Sequence, residues 1–307
     1  MTSREGSGSS IELAPPSIRQ GRRLYLKRED RHELGAFKWR GALPTLEQYR
    51  ARGATGVVTA STGNHGAATA WAGARVGLQA TVYAPRGSSR SKLDLIASLG
   101  ARLHLEGRDL DEAKELARAF AARQNVPFFE DGAEPAQYDG YGSIAGEILD
   151  ELAGILGSVV VPVGNGALIG GIGRVLRQRA PVVRLIGAVA KEAPVMALSY
   201  EAGRAVACGH MRTFADGLAV RVAIPYAVET MRQCVDGVVR VSEREIADAV
   251  RAFAAAGIRV EGAAGAALAA LAHLPGLPEP IVLVVTGRNI DEDLYERALQ
   301  DAPSFPD

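Results

Sequence analysis

The chain has 307 residues, 47% apolar and 23% charged, a globular balance that fits one large domain or two modest ones rather than a small stapled module. Thirty-five basic side chains cancel 35 acidic ones, so no net field argues for nucleic acid or an anionic membrane as partner. No apolar run approaches the roughly 20 residues of a membrane span. The two cysteines, Cys208 and Cys234, form neither a C-x-x-C pair nor a zinc set and read as ordinary thiols of a reducing cytoplasm.

Residues 1–10 (MTSREGSGSS) are polar, lack the apolar centre of a signal peptide and read as a disordered tail. Residues 35–43 (GAFKWRGAL) set Lys38 between Phe37 and Trp39, where an ammonium is costly unless it is paired or used. Strand and helix patterns then alternate. Residues 56–60 (GVVTA), 80–84 and 102–105 are β-rich runs; 64–76, 91–99 and 109–124 carry helical spacing. This unit, residues 51–135, is expected to be a small α/β domain. Residues 11–50 and 136–307 are expected to form a larger one, with a helix at 144–155 and strands at 158–163, 183–189 and 281–285. Ser242 and Glu245 predict a capping box for a helix at 242–256, and Asp291 opens the last helix. The expected fold is α/β: two doubly wound domains with the active site in the cleft between them.

Three segments follow strands: Ser61-Thr62-Gly63-Asn64-His65, Gly164-Asn165-Gly166-Ala167-Leu168-Ile169-Gly170 and Thr286-Gly287-Arg288-Asn289. Open α/β sheets bind ligands at such strand ends, although a lone Gly-rich loop is as often a plain turn. The second segment fits a phosphate, because glycines let backbone N–H groups approach an anion at a helix N-terminus. A dinucleotide would need a third glycine where Ile169 stands and an acid near Arg184. The P-loop pattern is absent. A phosphate site and an apolar-flanked lysine together suggest pyridoxal phosphate, whose aldehyde consumes a lysine amine. A lysine snorkelling from a helix start is the plain alternative for Lys38.

GAFKWRGAL resembles the S-F-K-x-R-G-A motif of the β-family, or fold type II, pyridoxal-phosphate enzymes. The resemblance continues through LYLKRED, ASTGNHG, SKLDLIASLGA, VPVGNGALIGGI, ADGLAV, VEGAAGAALAAL and VVTGRNID, covering about residues 22–291, and is closest to the threonine and serine dehydratases, with serine racemase related. It implies pyridoxal 5′-phosphate as cofactor, Lys38 as the Schiff-base lysine and base for the Cα proton, and Phe37 beside the cofactor ring. It implies that Ser61, Thr62, Gly63, Asn64 and His65 hold the substrate carboxylate, with Asn64 also on the ring's phenolic oxygen. Gly164, Asn165, Gly166, Ala167 and Leu168 resemble the phosphate loop, and Thr286 occupies the position facing the pyridine nitrogen.

Several positions depart from the family pattern. Asn165 replaces a glycine, so its side chain points away or adds a contact. Arg288 stands where glycine is common and would bring a cation to the pyridine edge. Thr62 falls where serine racemases carry the serine that reprotonates the opposite face. The acidic metal ligands of some relatives align with Ala190 and Met196, so no metal is expected, although Glu192 is close by. The sequence to Asp307 leads to no expectation of a C-terminal regulatory domain or of feedback inhibition. The function implied is β-elimination of a β-hydroxy amino acid such as L-threonine or L-serine to a 2-oxo acid and ammonia, by a cytoplasmic homodimer. Racemisation and β-replacement are the alternatives. A non-catalytic cofactor-binding protein is argued against by Lys38.

Overall fold

The computed structural model describes residues 11–19, 21–209 and 211–307; the tail reading for residues 1–10 falls outside them. The chain opens with β1 (Ile11–Leu13), a short helix α1 (Pro16–Arg19) and β2 (Leu24–Arg28). Helix α2 (Trp39–Ala51) leads into an alternating unit: β3 (Gly56–Ala60), α3 (Asn64–Val76), β4 (Gln79–Ala84), α4 (Arg90–Ser98), β5 (Arg102–Leu105) and α5 (Leu110–Gln124). The remainder runs α6 (Pro135–Leu152), β6 (Ser158–Pro162), α7 (Ala167–Arg179), β7 (Arg184–Ala190), α8 (Val195–Ala202), α9 (Pro225–Cys234) and β8 (Gly237–Val241). It closes with α10 (Glu243–Ala255), α11 (Gly262–Ala269), β9 (Ile281–Val285) and α12 (Glu292–Gln300).

Two sheets result. β3-β4-β5 form a parallel three-stranded sheet. The larger sheet has the order β1-β2-β9-β6-β7-β8, with β1 antiparallel and the other pairings parallel. Its central strands β9 and β6 are apolar along their length and buried, as strands covered on both faces must be. One face packs on α10 and α11 through Ile246, Val250, Phe253 and Ala264, and the other on α6, α7 and α9 through Ile144, Ile148, Ile172 and Met231. The small sheet is covered by α3 and by Leu46 and Tyr49 of α2 on one side, and by the Ala113, Ala117 and Ala121 stripe of α5 on the other.

The helix expected at 144–155 begins earlier, at Pro135, with a capping box between Glu134 and Gln137. Gly140 and Gly142 blur its period, and the packing accounts for them. A Cβ on Gly140 would collide with the Arg40 carbonyl, and one on Gly142 would lie 2.9 Å from Val175. These glycines let α6 run close against α2 and α7 and are not turn signals. The carboxyl ends of β3, β6 and β9 converge, and the cleft lies there.

Candidate active site

Lys38 is placed by a clamp and an anchor. The clamp is backbone: Phe37 donates its N–H to Thr286 O (3.1 Å), Arg288 donates to Gly35 O (2.9 Å), and Ala36 bridges to Gly287. Gly35 has φ +66°, and a Cβ there would lie 2.6 Å from Asn289 Oδ1, so the approach needs glycine. The anchor is Arg40, which binds Glu29 through Nε (2.8 Å) and Nη2 (3.0 Å) and Glu147 through Nη1 (2.6 Å). Lys27, fully buried, bonds the same two carboxylates at 2.5 and 3.4 Å. α2 therefore starts at a fixed point, with Lys38 at its cap position. The Lys38 side chain, 16% exposed, reaches the cleft and pairs with Asp131 (Nζ–Oδ2 2.6 Å).

Asp131 is itself held from several directions. Gln137 Nε2 donates to its Oδ1 (3.2 Å), and His65 Nδ1 lies 3.6 Å away. Burial works against its charge, but Lys38 and His65, with the hydrogen bond from Lys38, outweigh it and hold the carboxyl well below its ordinary range.

The loop after β3 offers a helix N-terminus. Ser61 Oγ accepts from Gly63 N–H (3.2 Å), while the first turn of α3 leaves N–H groups without intrahelical acceptors. His65 turns inward instead. Its Nε2 meets Thr59 Oγ1 (3.0 Å), its ring lies on Phe129, and burial disfavours its charged form. After β6, Gly166 adopts φ +89° as the cap of α7, with Met196 and Met231 at 2.8 Å from any added Cβ. A Cβ on Gly164 would collide with the Gly217 carbonyl. Asn165 adds a contact: its Oδ1 accepts from Ala167 N–H (3.1 Å).

Behind the loop after β9 lies Glu261, 2% exposed. Asn64 Nδ2 donates to it (2.9 Å) and Thr286 Oγ1 to its other oxygen (3.3 Å). Burial and the Asp216 carboxylate push it up to about 7, against those hydrogen bonds. Asn289 Nδ2 donates to Asn64 Oδ1 (2.8 Å), so a chain of amides joins two of the three loops. Across the cleft, Lys92 of α4 pairs with Asp216 and, at 3.3 Å, with Asp291, while Arg221 pairs with Asp111.

Of the residues the sequence assigns to cofactor or substrate, all but Ala167 line one cleft of about 670 Å³. Arg288 does not reach it and donates to the Asp30 carbonyl. Asp131, Glu261, Lys92 and Asp216 were missed as site residues. Glu261 did leave a signal, as the lone acid opening a helix of alanine and glycine. Asp131 left none, because its partner lies 93 residues away. Among the described residues no group of three or more His, Cys, Asp or Glu is arranged to hold a metal.

A loop whose Gly164 and Gly166 have no room for a Cβ, a helix N-terminus behind it and a lysine amine opening on the same cleft fit one phosphorylated aldehyde. The chain belongs to the pyridoxal-phosphate dependent enzyme family, whose model matches residues 8–287, and pyridoxal phosphate is its cofactor. It is 35% identical over 287 residues to an L-threonine ammonia-lyase of Thermotoga maritima, covering 91% of this chain and 70% of that one. It is 34% identical over 241 residues to a biosynthetic L-threonine dehydratase of Pasteurella multocida, covering 78% of this chain and 47% of the relative, about half its length. The fold matches the processed form of threonine deaminase isoform 2 from Solanum lycopersicum with a TM-score of 0.90 and 30% identity, covering 96% of this chain and 88% of that one.

Proposed function

We propose that the chain is an ammonia-lyase that eliminates water from a β-hydroxy amino acid such as L-threonine or L-serine, releasing a 2-oxo acid and ammonia. The observation that carries this reading is the Lys38 amine, presented between the glycine cradle and the α3 N-terminus. Relatives named for threonine deamination support the substrate class. When bound, the cofactor supplies an aldehyde that takes up an amine and a ring system that stabilises negative charge on the carbon next to it. Gly164, Gly166 and the first turn of α7 would hold its phosphate, and Phe37 and Thr286 would flank its ring.

The substrate carboxylate finds donors in the first turn of α3 and the Ser61 and Thr62 hydroxyls. So held, the amino acid presents Cα toward Lys38, which takes the Cα proton once its amine is free. The β-hydroxyl then departs as water, and hydrolysis yields the oxo acid and ammonia. Lys92 and Arg221 pair with acids across the cleft. Two free cysteines support a reducing cytoplasm, and a homodimer is the assembly this reading carries.

A panel of β-hydroxy amino acids, with oxo acid and ammonia measured in the same sample, tests the assignment. L-Threonine or L-serine is expected to give both products in equal amounts. Racemised substrate without ammonia would replace elimination with racemisation.

A further inference from the structure

Asp131 lines the cleft in direct contact with Lys38, and the elimination above does not use it. Asp131 lies 2.6 Å from Lys38 Nζ, and Lys38 is not alone in orienting it, because Gln137 Nε2 donates to its Oδ1 and His65 stands 3.6 Å away. The Asn165 side chain, which accepts from Ala167 N–H in the loop after β6, stands beside the residue that follows Asp131. Gly132, next in the chain, leaves room for the Asn165 amide, 2.8 Å from where a Cβ would stand. This is a carboxylate built to meet the amine of Lys38 whenever that amine is not bonded to the cofactor.

We propose that Asp131 is the positioning residue and counter-ion of the free Lys38 amine, acting with opposite sign on two steps: it opposes covalent capture of the cofactor and promotes removal of the substrate Cα proton. The inference rests on the ammonia-lyase reading only in that Lys38 is the residue joined to the cofactor and the base. Capture requires a neutral amine: Nζ bonds to the aldehyde carbon, and the aldehyde oxygen leaves as water. The 2.6 Å contact of Nζ with Asp131 Oδ2 must be broken first, because Nζ has to leave the carboxylate to reach the aldehyde carbon. Proton removal runs the other way. The Cα–H bond breaks and its proton joins neutral Nζ. The electron pair forms the Cα–Cβ double bond as hydroxide leaves Cβ, taking a proton from solvent to become water. The cation formed on Lys38 meets the waiting carboxylate, so this step gains the ion pair that the first one loses.

A residue that merely supports the loop cannot give this pattern, because loosening the site slows both steps together. Full-length apoenzyme, stripped of cofactor, is mixed with pyridoxal phosphate, quenched with borohydride at timed intervals, and the cofactor mass on the Lys38 peptide is followed. Turnover of the loaded enzyme is measured with protiated and 2-deuterated substrate. Asp131→Asn is expected to capture the cofactor about 3-fold faster or more, to turn over about 10-fold slower or more, and to show a larger isotope effect. Asp131→Glu, which keeps the charge, is expected to stay nearer the wild type in both. Should Asp131→Asn not fold, Asp131→Ser makes the same neutral comparison. Both rates falling together, or either one unchanged, overturns the proposal. If the wild-type label is absent from Lys38, the ammonia-lyase reading fails instead, which separates the two failures.

Discussion

Lys27 and Lys38 are both drawn out of solvent, one at 0% and the other at 16% side-chain exposure, and both meet carboxylates at about bonding distance. Their surroundings differ. Lys27 sits among Glu29, Glu147 and Arg40, two cations paired with two carboxylates. Lys38 has one carboxylate and a cavity. A charge whose partners are complete can only hold structure, because displacing any member leaves another buried and alone. A charge with one partner and open space can exchange that partner for a ligand. On the proposed reading, the chemical lysine is thus set apart by what its surroundings leave open rather than by how deeply it is buried.

Substitution at the two positions should separate the roles most widely. Lys38→Ala is expected to lose about 10³-fold or more in turnover while thermal stability moves by about 1 kcal/mol or less, since Asp131 keeps Gln137 and some solvent. Lys27→Ala is expected to do the reverse, costing about 3 kcal/mol by leaving Glu29 and Glu147 with Arg40 as their shared cation. Denaturant unfolding beside initial rates reads both. If Lys27→Ala lost activity at full stability, the division between the two lysines would be wrong.

Glu261 sharpens the comparison, being a buried charge site with hydrogen bonds but no cation in contact. Its carboxyl stands at about 7 against an ordinary 4.5. Below the ordinary value folded and unfolded chains both hold the proton, and the stabilising difference is fully present. As pH rises the unfolded chain ionises first, and the difference is lost by the time the folded carboxyl has titrated. For the apo-protein this contributes a fall of about 3 kcal/mol between about pH 4.5 and about pH 8. Glu261→Gln should remove that part of the pH dependence, and the two unfolding curves compared at each pH isolate it. Equal slopes in both proteins would mean that Glu261 is already solvated or paired.

The local parts of this fold were legible in sequence, and the long-range parts were not. Strands β3, β5 and β9 and helix α3 stand where apolar runs and helical spacing place them, since burial on both faces or one writes itself into neighbouring residues. β2 escaped notice because Lys27 and Arg28 interrupt its pattern, and their partners Glu147 and Glu12 are invisible in a local window. The same holds for the site. The segments that carry Lys38 and the three loops, which line one cleft, are each short and have their own local chemistry. Asp131 and Glu261 act through residues 93 and 197 positions away, and only the folded chain brings them together. The side-chain direction of His65 was also hidden, because loop residues read alike whether they face the ligand or the core.

The central claim, that Lys38 is the chemical lysine and Lys27 a structural one, is tested most directly by reducing the cofactor-loaded enzyme with borohydride and mapping the cofactor mass by peptide. The account predicts the mass on the peptide containing Lys38 and none on the peptide containing Lys27. The mass on Lys27, or on any other lysine with Lys38 unmodified, would contradict it.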